Sequence, residues 1–68
     1  MDLVQQLGVN VRRTRLERGM SQEALAAEAG MKRSYVSDLE RGVRNPSVNA
    51  LGRLARALGA DPADLLKS

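Results

Sequence analysis

The segment from Ser21 to Pro46, SQEALAAEAGMKRSYVSDLERGVRNP, constrains the fold of this chain more than any other. It reads as two short helices joined by a tight turn. The first spans about residues 22–29, with Ser21 placed to accept a backbone N–H bond as its cap. Gly30 stands where the chain must leave that helix, because a residue without Cβ takes a left-handed conformation cheaply. The second helix, about residues 32–41, stops at Gly42. Leu25, Ala26 and Ala29 face inward from the first helix, and Val36 and Leu39 from the second. Ala26 is small where the helices must approach, and Met31 can fill the turn. Arg33, Ser34, Ser37, Asp38 and Arg41 are left on the outer face of the second helix, which is polar and basic.

The flanking sequence adds three more helices and no strand. Residues 3–18 carry Val4, Leu7 and Val11 at helical spacing and end before Gly19. Pro46 marks a loop with a new helix beyond it. Over residues 48–58, Val48, Leu51, Leu54, Ala55 and Leu58 form one apolar stripe, with Ser47 as N-cap and Gly59 beyond the last turn. A fifth helix begins with Asp61 as its cap and Pro62 at its first position, with Asp64 in its first turn, and reaches residue 66 or 67. There is no linker, repeat or low-complexity stretch, so residues 1–68 make one compact all-α domain of five helices.

Composition narrows the possible chemistry. A chain of 68 residues buries only about 60% of its unfolded surface, so its core is thin. It has no cysteine and no histidine, which removes thiolate ligands, the commonest metal ligand and the usual general base. No paired carboxylates fall in a plausible cleft. No enzyme activity, metal, cofactor or small-molecule ligand is expected. The first twenty residues carry no basic start and no apolar run long enough for a signal peptide or a membrane span, which predicts a cytoplasmic protein associated with the nucleoid. The net charge of +3 suits a polyanionic partner. Arg12, Arg13, Arg15 and Arg18 cluster in the first helix against Asp2 and Glu17; a basic solvated face there needs no partner.

Two helices crossing through a short turn with a glycine in it form a helix-turn-helix, which presents its second helix to the DNA major groove. The segment resembles the DNA-binding domain of the lambda-repressor and Cro type, also called the xenobiotic-response-element family of bacterial regulators. The matching residues are Ser21-Gln22-Glu23, Leu25-Ala26, Gly30, Tyr35-Val36-Ser37, Leu39-Glu40-Arg41-Gly42 and Arg44-Asn45-Pro46-Ser47. Leu51, Leu54-Ala55 and Ala57-Leu58-Gly59 extend the match, which covers nearly all of the chain from about Leu7. The run KRSYVSDLERGVRNPS also resembles the controller proteins of restriction–modification systems.

The resemblance implies roles for individual positions. Gln22, at the first turn of the second helix, is expected to clamp a DNA phosphate. Arg33 is the leading base reader, since arginine bonds guanine O6 and N7 together. Ser34, Ser37 and Asp38 are neighbouring candidates, Asp38 either reading cytosine or orienting Arg41 or Arg33. Lys32 stands where the family often has a capping residue and cannot accept the N–H bond. It either reaches a base or phosphate or leaves a frayed first turn. Tyr35 offers its hydroxyl to a phosphate or its ring to the core, and Arg41, Arg44 and Asn45 are expected at the DNA backbone. Arg15 and Glu40 each carry a charge on an inward edge and need a partner; the resemblance implies that they pair with each other.

The expected function is sequence-specific transcriptional regulation, as a homodimer on double-stranded DNA with two-fold operator symmetry. Its dimer interface would use Leu65 and Leu66 with the outer side of the fourth helix. A repressor or autoregulator is the generic form, and a restriction–modification controller is the alternative. A helix-turn-helix adaptor that binds protein instead is the rival of another class.

Overall fold

The computed structural model describes residues 2–68. The helices are α1 (Leu3–Glu17), α2 (Gln22–Ala29), α3 (Arg33–Glu40) and α4 (Val48–Leu58), followed by a 3₁₀ turn at Pro62–Leu66. There is no strand among the described residues, and none of the helices is long and apolar enough to cross a membrane.

Local chemistry sets most of the boundaries. Asp2, Ser21 and Ser47 each accept a backbone N–H three residues on, at 2.8, 3.0 and 3.0 Å, which satisfies donors that a helix leaves unpaired at its start. Lys32, at the equivalent place before α3, makes no such bond. Gly30 ends α2 at φ 69°, a left-handed conformation that costs a residue with Cβ free energy. The chain then turns sharply into α3.

The core gathers one stripe from each element. Leu7 and Val11 of α1 meet Leu25, Ala26 and Ala29 of α2, Val36 and Leu39 of α3, Leu54, Ala55 and Leu58 of α4, and Leu65 of the terminal turn. α1 lies against α3 and the terminal turn, and α2 against α3 and α4. With α2 and α3 in contact on their apolar sides, the polar side of α3 is left outward. Gly8 makes the α1–α3 approach possible: a Cβ there would overlap the Leu39 carbonyl oxygen and stand 2.9 Å from that of Glu40.

Three expectations are corrected. The fifth helix is a five-residue 3₁₀ turn, in which Asp61 caps Ala63 and the Asp64 N–H donates to the Asp61 carbonyl three residues back. Pro62 lacks a donor and the stretch is too short to build α-helical bonding, so the tighter form prevails. Val48 does not join the apolar stripe of α4 and is 85% exposed; as the first helical residue, its side chain tilts back over the N-terminus and away from the core. Leu65 is fully buried rather than spare surface for a partner. Asn10 explains why. Wholly buried on α1, its Nδ2 donates to the carbonyls of Leu65 and Lys67 at 2.9 and 2.6 Å. That clamp holds the terminal turn down and folds Leu65 inward.

Candidate nucleic-acid interface

α2 and α3 meet at the turn around Gly30, and their shared surface is assembled around Glu40. The Glu40 carboxylate takes a bidentate pair from Arg15, Nε to Oε2 at 2.6 Å and Nη2 to Oε1 at 3.0 Å. Both side chains are nearly dry, 9% and 4% exposed. The pairing expected from the resemblance is therefore made. Arg15 Nη1 also donates to the Met20 carbonyl at 2.9 Å, so one guanidinium spans α1, the α1–α2 connection and α3. The hydrogen bond to Glu40, with its charge attraction, holds the Arg15 guanidinium above its ordinary pKa against the opposing effect of burial.

Glu40 has a third partner that the sequence reading did not include. Gln22 Nε2 donates to Glu40 Oε1 at 3.1 Å. This bond fixes the half-buried amide at the start of α2, beside the first turn that Ser21 caps through the Ala24 N–H. A helix N-terminus with a positioned amide donor is suited to an anion.

The outer face of α3 is the second part of the site. Arg33 and Ser34 are exposed, and Ser37 and Asp38 are half-buried along the same side. Lys32 and Arg33 form no ion pair or side-chain hydrogen bond among the described residues. Two guanidinium groups share the Asp38 carboxylate, Arg41 Nη1 at 3.6 Å and Arg44 Nη2 at 3.6 Å. Arg44 also stacks over the ring of Tyr35, 4.6 Å from its centroid. Tyr35 is itself packed against the core, so its ring carries a surface arginine on one side and the domain interior on the other. Exposed pairs of this kind add little stability. Their effect is to limit where Arg41 and Arg44 can go. Asn45 follows in the exposed loop before α4.

The helix-turn-helix site residues thus lie on two adjoining surfaces, Gln22 at one and Lys32 to Asn45 along the other. Leu66 lies in a groove with Leu3, Val4, Leu7, Pro46 and Leu51, which Asn45 also lines. Of the α1 arginines, Arg13 bonds Asn10 Oδ1 at 2.7 Å and Arg18 Nε bonds the Leu58 carbonyl at 3.0 Å. Both support structure. Asn10 and Gly8 were missed from sequence. An asparagine on an otherwise inward face was the available signal for the first, and a glycine inside a helix for the second.

The chain belongs to the helix-turn-helix family, whose model matches residues 11–65. Among individual proteins, it is 48% identical over 60 residues to the control protein C.BamHI of Bacillus amyloliquefaciens, covering 87% of this chain and 74% of that one. It is 44% identical over 66 residues to the uncharacterized HTH-type transcriptional regulator y4dJ of Sinorhizobium fredii, covering 97% and 86%. The fold superposes on the crystal structure of the restriction–modification controller protein C.AhdI from Aeromonas hydrophila with a TM-score of 0.89, at 42% identity, over 91% of this chain and 94% of that one.

Proposed function

We propose that this protein is a sequence-specific DNA-binding transcriptional regulator, acting in the cytoplasm at the nucleoid as a two-fold dimer. The observation that carries this reading is the outer face of α3. It is polar, basic and free of apolar cover, and it is held by Arg15, Glu40 and Gln22 in fixed relation to the start of α2. In a helix-turn-helix, α3 enters the major groove by its first turn while α2 crosses the backbone.

Each side chain then has a role set by its position. Arg33, in the first turn of α3, bonds guanine O6 and N7 from the groove, with Lys32, Ser34 and Ser37 at neighbouring base edges. Gln22 and the first-turn amides of α2 take a phosphate. Asp38 orients Arg41 and Arg44 toward the backbone rather than reading a base, because an uncompensated carboxylate beside phosphates is repelled. The Tyr35 hydroxyl and Asn45 complete the backbone contacts. Two copies bind half-sites one helical turn apart, joined through the groove of Leu3, Val4, Pro46, Leu51 and Leu66, with Asn45 at its edge toward the DNA. Leu65, being buried, supports that face only from within.

The likeness to C.BamHI and C.AhdI favours a controller-type regulator among the possible roles. Selection of bound sites from a random duplex library tests the proposal. A consensus with two-fold symmetry and half-sites one turn apart is expected. Failure to enrich any sequence, with no salt-dependent binding to duplex DNA, would leave the fold as a protein-binding adaptor.

A further inference from the structure

The exposed side of α4 carries a glycine that the fold itself does not need. Gly52 sits in mid-helix, its φ is not positive, and nothing among the described residues lies within 4 Å of where a Cβ would stand. Glycine weakens a helix interior relative to alanine because it loses more backbone freedom on folding. At Gly8 a close-packed carbonyl explains that cost; at Gly52 no neighbour among the described residues does. Such a position suits the close approach of something outside the chain.

The side chains around Gly52 indicate what approaches. Asn49, Arg53 and Arg56 share its stripe of the helix and line one shallow cleft with it. Both arginines are exposed and make no ion pair or hydrogen bond among the described residues. Glu28 of α2 lines an adjoining cleft with both arginines and pairs with neither. Arg53 Nη1 lies 3.7 Å from the Cβ position of Gly30, in the turn that leads directly to Lys32 and Arg33. The basic surface at the start of α3 therefore continues across the turn and along α4.

We infer that this face of α4 is a second DNA-backbone contact, in which Gly52 lets the backbone lie close to the helix while Arg53 and Arg56 each neutralise a phosphate. It lengthens the footprint beyond the bases that α3 reaches and carries no sequence information. The inference rests on the DNA-binding reading above. Charge selects this occupant over a second copy of the chain. An isologous contact would bring two copies of this basic patch together, with four arginines against only two copies of Glu28. The face is also continuous with the helix-turn-helix surface.

The test uses the full chain and a mixed-sequence duplex about four helical turns long, titrated over a salt series, with Arg53→Gln/Arg56→Gln and Gly52→Gln as variants. For the double variant, two phosphate contacts are lost per protomer and four per dimer, so the slope of log K against log salt should become shallower by about three to four, with binding at low salt more than about tenfold weaker. Gly52→Gln should raise the thermal midpoint of the free protein and still weaken DNA binding. Steep, salt-dependent binding by the parent chain, retained unchanged in both variants, would overturn the inference and leave this face to an acidic protein partner. A parent chain with no salt-dependent binding would overturn the DNA-binding reading itself, and the inference with it.

Discussion

Arg15 and Glu40, twenty-five positions apart in sequence, form the bidentate pair on which the α1–α3 junction and the start of α2 converge. Replacing either with alanine leaves the other nearly dry without its opposite charge, holding only the Gln22 amide or the Met20 carbonyl, a loss on the order of 3–5 kcal/mol. Together the two replacements should cost far less than the sum of their separate effects. Denaturant unfolding of the two single variants and the double variant measures that coupling, and additive losses would show that the two residues act independently.

The pH dependence of this pair follows from the raised pKa of Arg15. A basic group held above its unfolded pKa contributes stability that is fully present below the unfolded value and is lost as pH rises through the folded one. For an arginine held above its ordinary value, that window lies in strongly alkaline solution. The stability difference between the parent chain and the Arg15→Met variant should therefore stay constant from neutral pH to about pH 10. Paired thermal melts across that range check it, and a difference that shrinks within it would contradict the assignment.

Asn10→Ala should release the terminal turn. The carbonyls of Leu65 and Lys67 lose their donor while one of them is buried, at about 1–3 kcal/mol. Hydrogen exchange should show lost protection around residues 62–66 before any in α2 or α3. Uniform loss across the domain would mean that the turn is not held mainly by this side chain.

The adjacent leucines should separate folding from assembly. Leu65→Ala removes a fully buried side chain and should destabilise the fold by about 2–5 kcal/mol. Leu66→Ser, at the half-buried rim of the Leu3–Leu51 groove, should weaken self-association in sedimentation more than it lowers the folded fraction. Equal self-association in the parent chain and Leu66→Ser would remove that groove from the dimer.

The contrast between these leucines also marks where sequence stops being informative. The α2–α3 unit was legible because its signals are local: a serine cap, a left-handed glycine and inward residues at helical spacing. Leu65 was misread because it packs into a core shared by all four helices, and the turn that carries it is tied to Asn10, fifty-five positions away; no local pattern reports either contact. The terminal turn was read as a helix because Asp61 and Pro62 are sound start signals, while the bonding beyond them depends on how many residues can continue it. Val48 matched the stripe by spacing, yet periodicity does not say where the core ends. At the site, residue types and positions marked out the α3 face. The attachment of Gln22 to Glu40, and of Arg44 to both Tyr35 and Asp38, required side-chain geometry.

The central claim is that α3 reads bases while the start of α2 only positions the domain. Affinity for a panel of single-base variants of the selected operator, at fixed salt, tests it most directly. Arg33→Ala should cost about 1–3 kcal/mol on the preferred site and flatten the preference at one base pair of each half-site. Gln22→Ala should weaken every sequence by a similar factor and leave the profile unchanged. A preference profile that survives Arg33→Ala intact would contradict the claim.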